Sequence, residues 1–187
     1  IRTRLREWMM RDARNGEITD KFSDRADAFL AGSSDLHSSL VPAALLAAAI
    51  NGYMYTYELF KKRFENATTP AERAQVLDGL ANFESEQILV ELQKYSVSDA
   101  VRPREMLTIR TEMVKRPEPR ELVLDFALEN YAVFEERLPG NGLAVLPTVA
   151  RSCSRARAQR AIEFFADPDH QVSGTMRNLD RTTAAIE

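Results

Sequence analysis

The sequence predicts an all-α fold, a superhelical stack of antiparallel helix hairpins. Three observations carry that prediction. Apolar residues recur at helical spacing in segment after segment. Helix-start and helix-stop residues punctuate the chain at short intervals. No stretch alternates apolar and polar residues as a half-buried strand would, and no Asn-Gly turn is flanked by β-branched runs.

The most completely specified element lies in NATTPAERAQVLDGLANFES, Asn66 to Ser85. Thr69 is a good N-cap, and Pro70 takes the first helical position, where a missing N–H costs nothing. Glu72 stands three residues after Thr69 and completes a capping box, with the cap itself contributing about 1 kcal/mol. Val76, Leu77, Leu80 and Phe83 then form an apolar stripe, with Arg73, Gln75 and Asp78 between them. Ser85 opens the next helix, whose stripe is Ile88, Leu89, Leu92 and Tyr95. So short a connection makes the pair an antiparallel hairpin.

Similar pairs flank it. Arg2 to Asn15 and Asp20 to Ala31 pair across Gly16, and Leu36 to Asn51 and Tyr53 to Asn66 pair across Gly52. Pro103 to Arg116 pairs with Pro119 to Leu138; Met106, Ile109, Arg110 and Met113 share one face of the first, while Leu122, Phe126 and Phe134 mark the second. Gly140-Asn141-Gly142 reads as a turn. Leu143 to Ser152, kinked at Pro147, pairs with Ala156 to Ala166, and a last helix runs from Thr175 to Ile186. First helices begin near Leu36, Thr69, Pro103 and Gly142, a spacing of about 33 to 40 residues that belongs to helical solenoids. The tetratricopeptide signature does not recur, since Trp8 is the only Trp. The repeats are degenerate, closer to a HEAT-like or armadillo-like stack. Each hairpin buries one side by itself and needs a neighbour for the other. The chain is therefore expected to form a single domain over residues 1–187.

Composition excludes several functions. A formal net charge of −3 argues against electrostatically driven nucleic-acid binding. Arg155, Arg157 and Arg160 read as a solvated helix face. Cys153 is the only cysteine, so an internal disulfide and a multi-thiolate metal site are both excluded; it reads as a small buried apolar residue. The longest apolar run, Leu40 to Ile50, falls short of the ~20 residues a membrane span needs, so no membrane insertion is expected. The charged opening stretch is no signal peptide, which leans the expected location toward the cytoplasm. The start at Ile1 is read as that of a mature product or of a piece of a longer chain.

Candidate chemistry is sparse. There is no His-Glu-x-x-His helix, no phosphate-cradling glycine loop and no Gly-x-Ser-x-Gly elbow. His37 reads as a capping or surface residue, and His170 falls in a loop. The carboxylate pairs Glu84 with Glu86, Glu135 with Glu136, and Asp167 with Asp169 read as solvated surface rather than as an acid and base in opposed environments. Tyr53, Tyr57 and Lys61 share a helix face at i, i+4, i+8. Tyrosines combine apolar area with a hydrogen-bonding tip, so these three are the peptide-contact candidates. The competing reading is an edge-of-core stripe with Lys61 reaching outward.

Four phrases, FENATTPAERAQVLDGLANF, SVSDAVRPRE, LVLDFALENYAVFEERL and AIEFFAD, follow one another in an order that resembles one family. It is the C-terminal helical domain of zinc aminopeptidases of the aminopeptidase N type, which includes the puromycin-sensitive and endoplasmic-reticulum enzymes. The chain departs from that family's usual Trp at Tyr131 and its usual Gln-Asp at Arg104-Glu105. The resemblance implies a parent enzyme that removes N-terminal residues from peptides, with its zinc site in a separate upstream domain. It implies no catalytic residue, metal ligand or cofactor in this segment. Its implied partners are the parent's catalytic domain and the peptide substrate, with this segment enclosing the active-site cavity and helping to bind and size-select the peptide. Two other readings stand beside it: a free-standing helical-repeat scaffold for protein or peptide binding, and an independent enzyme using Cys153 or a histidine. An upstream His-Glu-x-x-His segment in the native reading frame would separate the first reading from the scaffold.

Overall fold

A computed structural model describes residues 16–32, 36–152 and 154–184. The fold is all-α, and among the described residues there is no strand. The proposed helix Arg2 to Asn15, Trp8, Cys153 and the end of the last helix at Ile186 lie outside the described residues. Contacts divide the chain into two compact units, Ile1–Leu92 and Gln93–Glu187.

The first unit is built around its most apolar helix. α1 spans Gly16–Leu30, starting before the expected Asp20. A 3₁₀ turn, Ser38–Leu40, leads directly into α2, Val41–Ile50, where Pro42 lies in the first helical turn. Every residue from Ala43 to Ala49 in α2 is buried, as a run apolar all round requires. α3 spans Met54–Glu65 and α4 Pro70–Leu80. α2 packs on α1 and α4, and α3 packs on α4 and α1. Gly52 makes the α2–α3 turn possible: a Cβ there would fall on the Phe83 ring and 2.6 Å from the Ala48 carbonyl oxygen.

The α4 start follows the sequence closely, with one difference. The Thr69 hydroxyl accepts from the Glu72 N–H at 3.1 Å, as an N-cap should. The reciprocal bond does not go to Thr69. The Glu72 carboxylate instead accepts from the N–H and the hydroxyl of Thr68, both at 3.1 Å, and pairs with Arg63 at 2.6 Å. Glu72 thereby joins the α4 start to α3, while Arg73 donates to the Phe64 carbonyl and lies 3.7 Å over the Phe64 ring.

α5 spans Glu86–Ser96, so the division between the units falls within it. The second unit continues with α6, Pro103–Met113. The single helix expected from Pro119 to Leu138 is two, α7 at Arg120–Glu129 and α8 at Tyr131–Arg137. Asn130 breaks it: its backbone leaves the helical region (φ −109°, ψ 25°), and its side-chain amide donates to the Phe126 carbonyl at 2.9 Å. Gly140-Asn141-Gly142, expected as a turn, opens a one-turn helix, α9 at Gly140–Leu143. The kinked helix expected over Leu143 to Ser152 is instead a 3₁₀ segment, Leu146–Ala150, with Pro147 near its start. That segment is the packing centre of the unit, touching α6, α7, α10 (Arg155–Phe165) and α11 (Thr175–Thr183).

The basic cluster is a second correction. Arg157 is buried and pairs with Glu121 of α7 at 2.6 Å. Arg160 bonds both Glu121, at 3.2 Å, and Asp125. These arginines lock α10 to α7 and do not form a free basic face; Arg155 alone of the three is exposed without such a bond.

Candidate functional site

The three peptide-contact candidates separate in space. Tyr53 occupies the N-cap position of α3 and is 82% exposed. Tyr57, one turn on, is 1% exposed; its ring meets Phe83 edge-on, with centroids 5.8 Å apart. Burial, then the nearby Glu58 and Glu91, raise the Tyr57 phenol above its ordinary pKa. Lys61 bonds Glu58 at 3.1 Å and stands 5.4 Å from the centre of the Tyr57 ring. Tyr57 therefore packs the core beneath Lys61, and what can touch a ligand is Tyr53 and Lys61. Tyr55, 76% exposed, adds a surface that the i, i+4 pattern passed over.

His37 caps the Ser38–Leu40 turn, accepting from the Ser39 N–H at 3.3 Å, as its position before a helix start implied. The six paired carboxylates, Glu84, Glu86, Glu135, Glu136, Asp167 and Asp169, are all exposed. His170 does more than its loop position signalled. It closes the 3₁₀ turn Pro168–His170, and its ring stacks on Phe164 at 3.9 Å with 2° between planes. Tyr131 meets both rings edge-on, at 4.8 Å from His170 and 5.5 Å from Phe164. Burial and the neighbouring Glu135 raise the Tyr131 phenol. The three residues line a hollow of about 320 Å³.

A second hollow, of about 460 Å³, lies at the start of α6, with Leu107, Leu138 and Pro139 as its apolar floor and Arg102 and Arg104 at its edge. Deeper in the same unit, Arg110 is fully buried. Its guanidinium donates to the Met106 carbonyl at 2.8 Å and the Ser96 hydroxyl at 2.9 Å. It also faces the rings of Phe134 and Phe126, 4.3 and 5.5 Å away. Burial lowers its pKa to about 9.

Against this geometry, the family model for the ERAP1-like C-terminal domain matches residues 1–187. The chain belongs to that family. Membership implies a parent aminopeptidase and a catalytic domain in the same parent chain. No curated protein matches the chain. ERAP1-like proteins are zinc aminopeptidases. Among the described residues no three His, Cys, Asp or Glu side chains stand together as metal ligands. Among the same residues no helix is long and apolar enough to cross a membrane.

Proposed function

We propose that this ERAP1-like domain helps a zinc aminopeptidase remove N-terminal residues from peptides, by enclosing the active-site cavity and binding the peptide beyond the cleaved bond. The observation that carries the reading is the family match over the whole chain. Its physical content is remote binding: contacts far from the reacting atoms supply orientation, exclude water and set which peptide lengths reach the chemistry. Tyr53 and Lys61 are the proposed peptide contacts, with Tyr57 supporting the helix from within.

The division of labour is tested by purifying the chain and assaying amino-acid amide hydrolysis with added zinc. No turnover is expected. Activity stoichiometric with the chain and with zinc would overturn the reading.

A further inference from the structure

The hollow beside His170 has walls of two kinds. Tyr131, Phe164 and His170 supply packed rings, and Glu129, Glu135 and Asp169 supply carboxylates; no Lys or Arg lines it. Carboxylates attract a cation, and an aromatic ring does so wherever its face is open to one. Among the described residues no cation pairs with the carboxylate of Glu135 or Asp169. Glu129 acts on Arg160 at longer range, but the short contacts of Arg160 go to Glu121 and Asp125.

His170 sharpens the chemistry. Its Nδ1 is 2.9 Å from the Phe164 carbonyl oxygen. A carbonyl only accepts, so Nδ1 carries a proton and holds the ring to the Phe164 backbone. The aromatic walls are fixed as well: Tyr131 is buried, and its ring also meets Phe165 at 6.2 Å. A metal ion is the wrong occupant, since the acidic and imidazole groups do not converge as ligands. An anion would be repelled by the carboxylates. A delocalised or alkyl-bearing cation meets both walls at once. The volume sits at the small end of ligand pockets and suits a side-chain-sized group.

We propose that this hollow binds an organic cation of side-chain size, a guanidinium or alkylammonium, seated against the Tyr131, Phe164 and His170 rings and paired with Glu135 and Asp169. The source is either a free small cation or an Arg or Lys side chain of a polypeptide. The site does not depend on the aminopeptidase reading, and its test contains no catalytic readout.

The test is an NMR titration of the isotope-labelled 187-residue chain with methylguanidinium, Nα-acetyl-arginine amide and the neutral Nα-acetyl-citrulline amide. Saturable shift changes at Tyr131 and His170 are expected for both cations, with the citrulline compound about tenfold weaker or worse. The double substitution Glu135→Gln with Asp169→Asn should weaken arginine-amide binding by about fivefold or more while leaving the melting temperature unchanged, because both residues are exposed. Tighter binding of arginine amide than of methylguanidinium identifies a polypeptide source, and equal binding identifies a free cation; both uphold the proposal. Equal binding of the citrulline compound, shifts that never saturate, or full affinity in the double variant would overturn it.

Discussion

The Arg110 guanidinium lies 4.3 Å from the centre of the Phe134 ring, fully buried, with the Met106 carbonyl and the Ser96 hydroxyl as acceptors and no carboxylate paired with it among the described residues. A buried charge without a counter-charge is held by ring faces and neutral dipoles, which compensate desolvation incompletely. Its pKa, lowered to about 9, records that deficit. Because the folded-state pKa lies below the unfolded one, the unfolded chain binds more protons once pH rises past about 9, and stability then gains from this residue. Below that pH the deficit is present in full. Arg110→Met removes the charge while keeping much of the volume, so thermal melts near neutral pH should show a variant as stable as the wild type or up to about 4 kcal/mol more stable. As pH rises through about 9, the wild type should gain on the variant. A pH-independent difference between the two would contradict the account.

Gly52 marks a tight approach between the α2–α3 turn and Phe83. Gly52→Ala should destabilise the chain by about 1–3 kcal/mol, the usual range for overpacking, because the Ala48 carbonyl cannot rotate away as a side chain would. Gly16→Ala is the control, since nothing lies within 4 Å of a Cβ there. Urea titrations of both variants check this, and an unchanged midpoint for Gly52→Ala would count against the turn geometry.

Glu121 and Asp125 both pair with α10, but they differ in what their loss leaves behind. Removing Glu121 strands Arg157, whose side chain is 2% exposed. Glu121 is itself largely solvated, so the cost of Glu121→Gln should sit below the full buried-pair range, at about 1–2 kcal/mol. Asp125→Asn touches only the half-exposed Arg160 and should cost less than about 0.5 kcal/mol. Chemical denaturation that ranks the two variants the other way would contradict the assignment of Arg157 as the buried member.

Contacts divide the chain at Leu92 and Gln93, within α5. We propose that the two units nevertheless unfold together, because α5 runs from one into the other without a break and helix formation is cooperative along its length. Calorimetry should then show one transition, with equal calorimetric and van't Hoff enthalpies. Two resolved transitions would assign the units separate stabilities.

Much of this was legible in the sequence, and the exceptions share a cause. Thr69, Pro70 and the Val76–Leu77–Leu80 stripe act locally, so spacing alone located α4. The same holds for the all-buried Ala43 to Ala49 run. Asn130 broke an otherwise continuous periodic pattern through a side-chain bond to the Phe126 carbonyl one turn back, an option that Asn carries and periodicity does not weigh. The arginines of α10 read as solvent-facing because their partners Glu121 and Asp125 lie 35 to 39 residues away. Tyr57 and Tyr53 read as one surface because spacing places residues on a face without saying how deep that face lies. The rings of Tyr131, Phe164 and His170 come from three elements, and no local signal unites them.

The central claim is that this domain binds peptide at a distance from the bond being cut. Its most direct test is the steady-state kinetics of the parent aminopeptidase carrying Tyr53→Ala and Lys61→Ala, two substitutions in α3 and at its start that leave the Tyr57 core in place. The account predicts that kcat/KM falls about three- to tenfold for a long peptide and stays unchanged for a single amino-acid amide, which is too short to reach this domain. Equal losses on both substrates, or none on the long peptide, would contradict it.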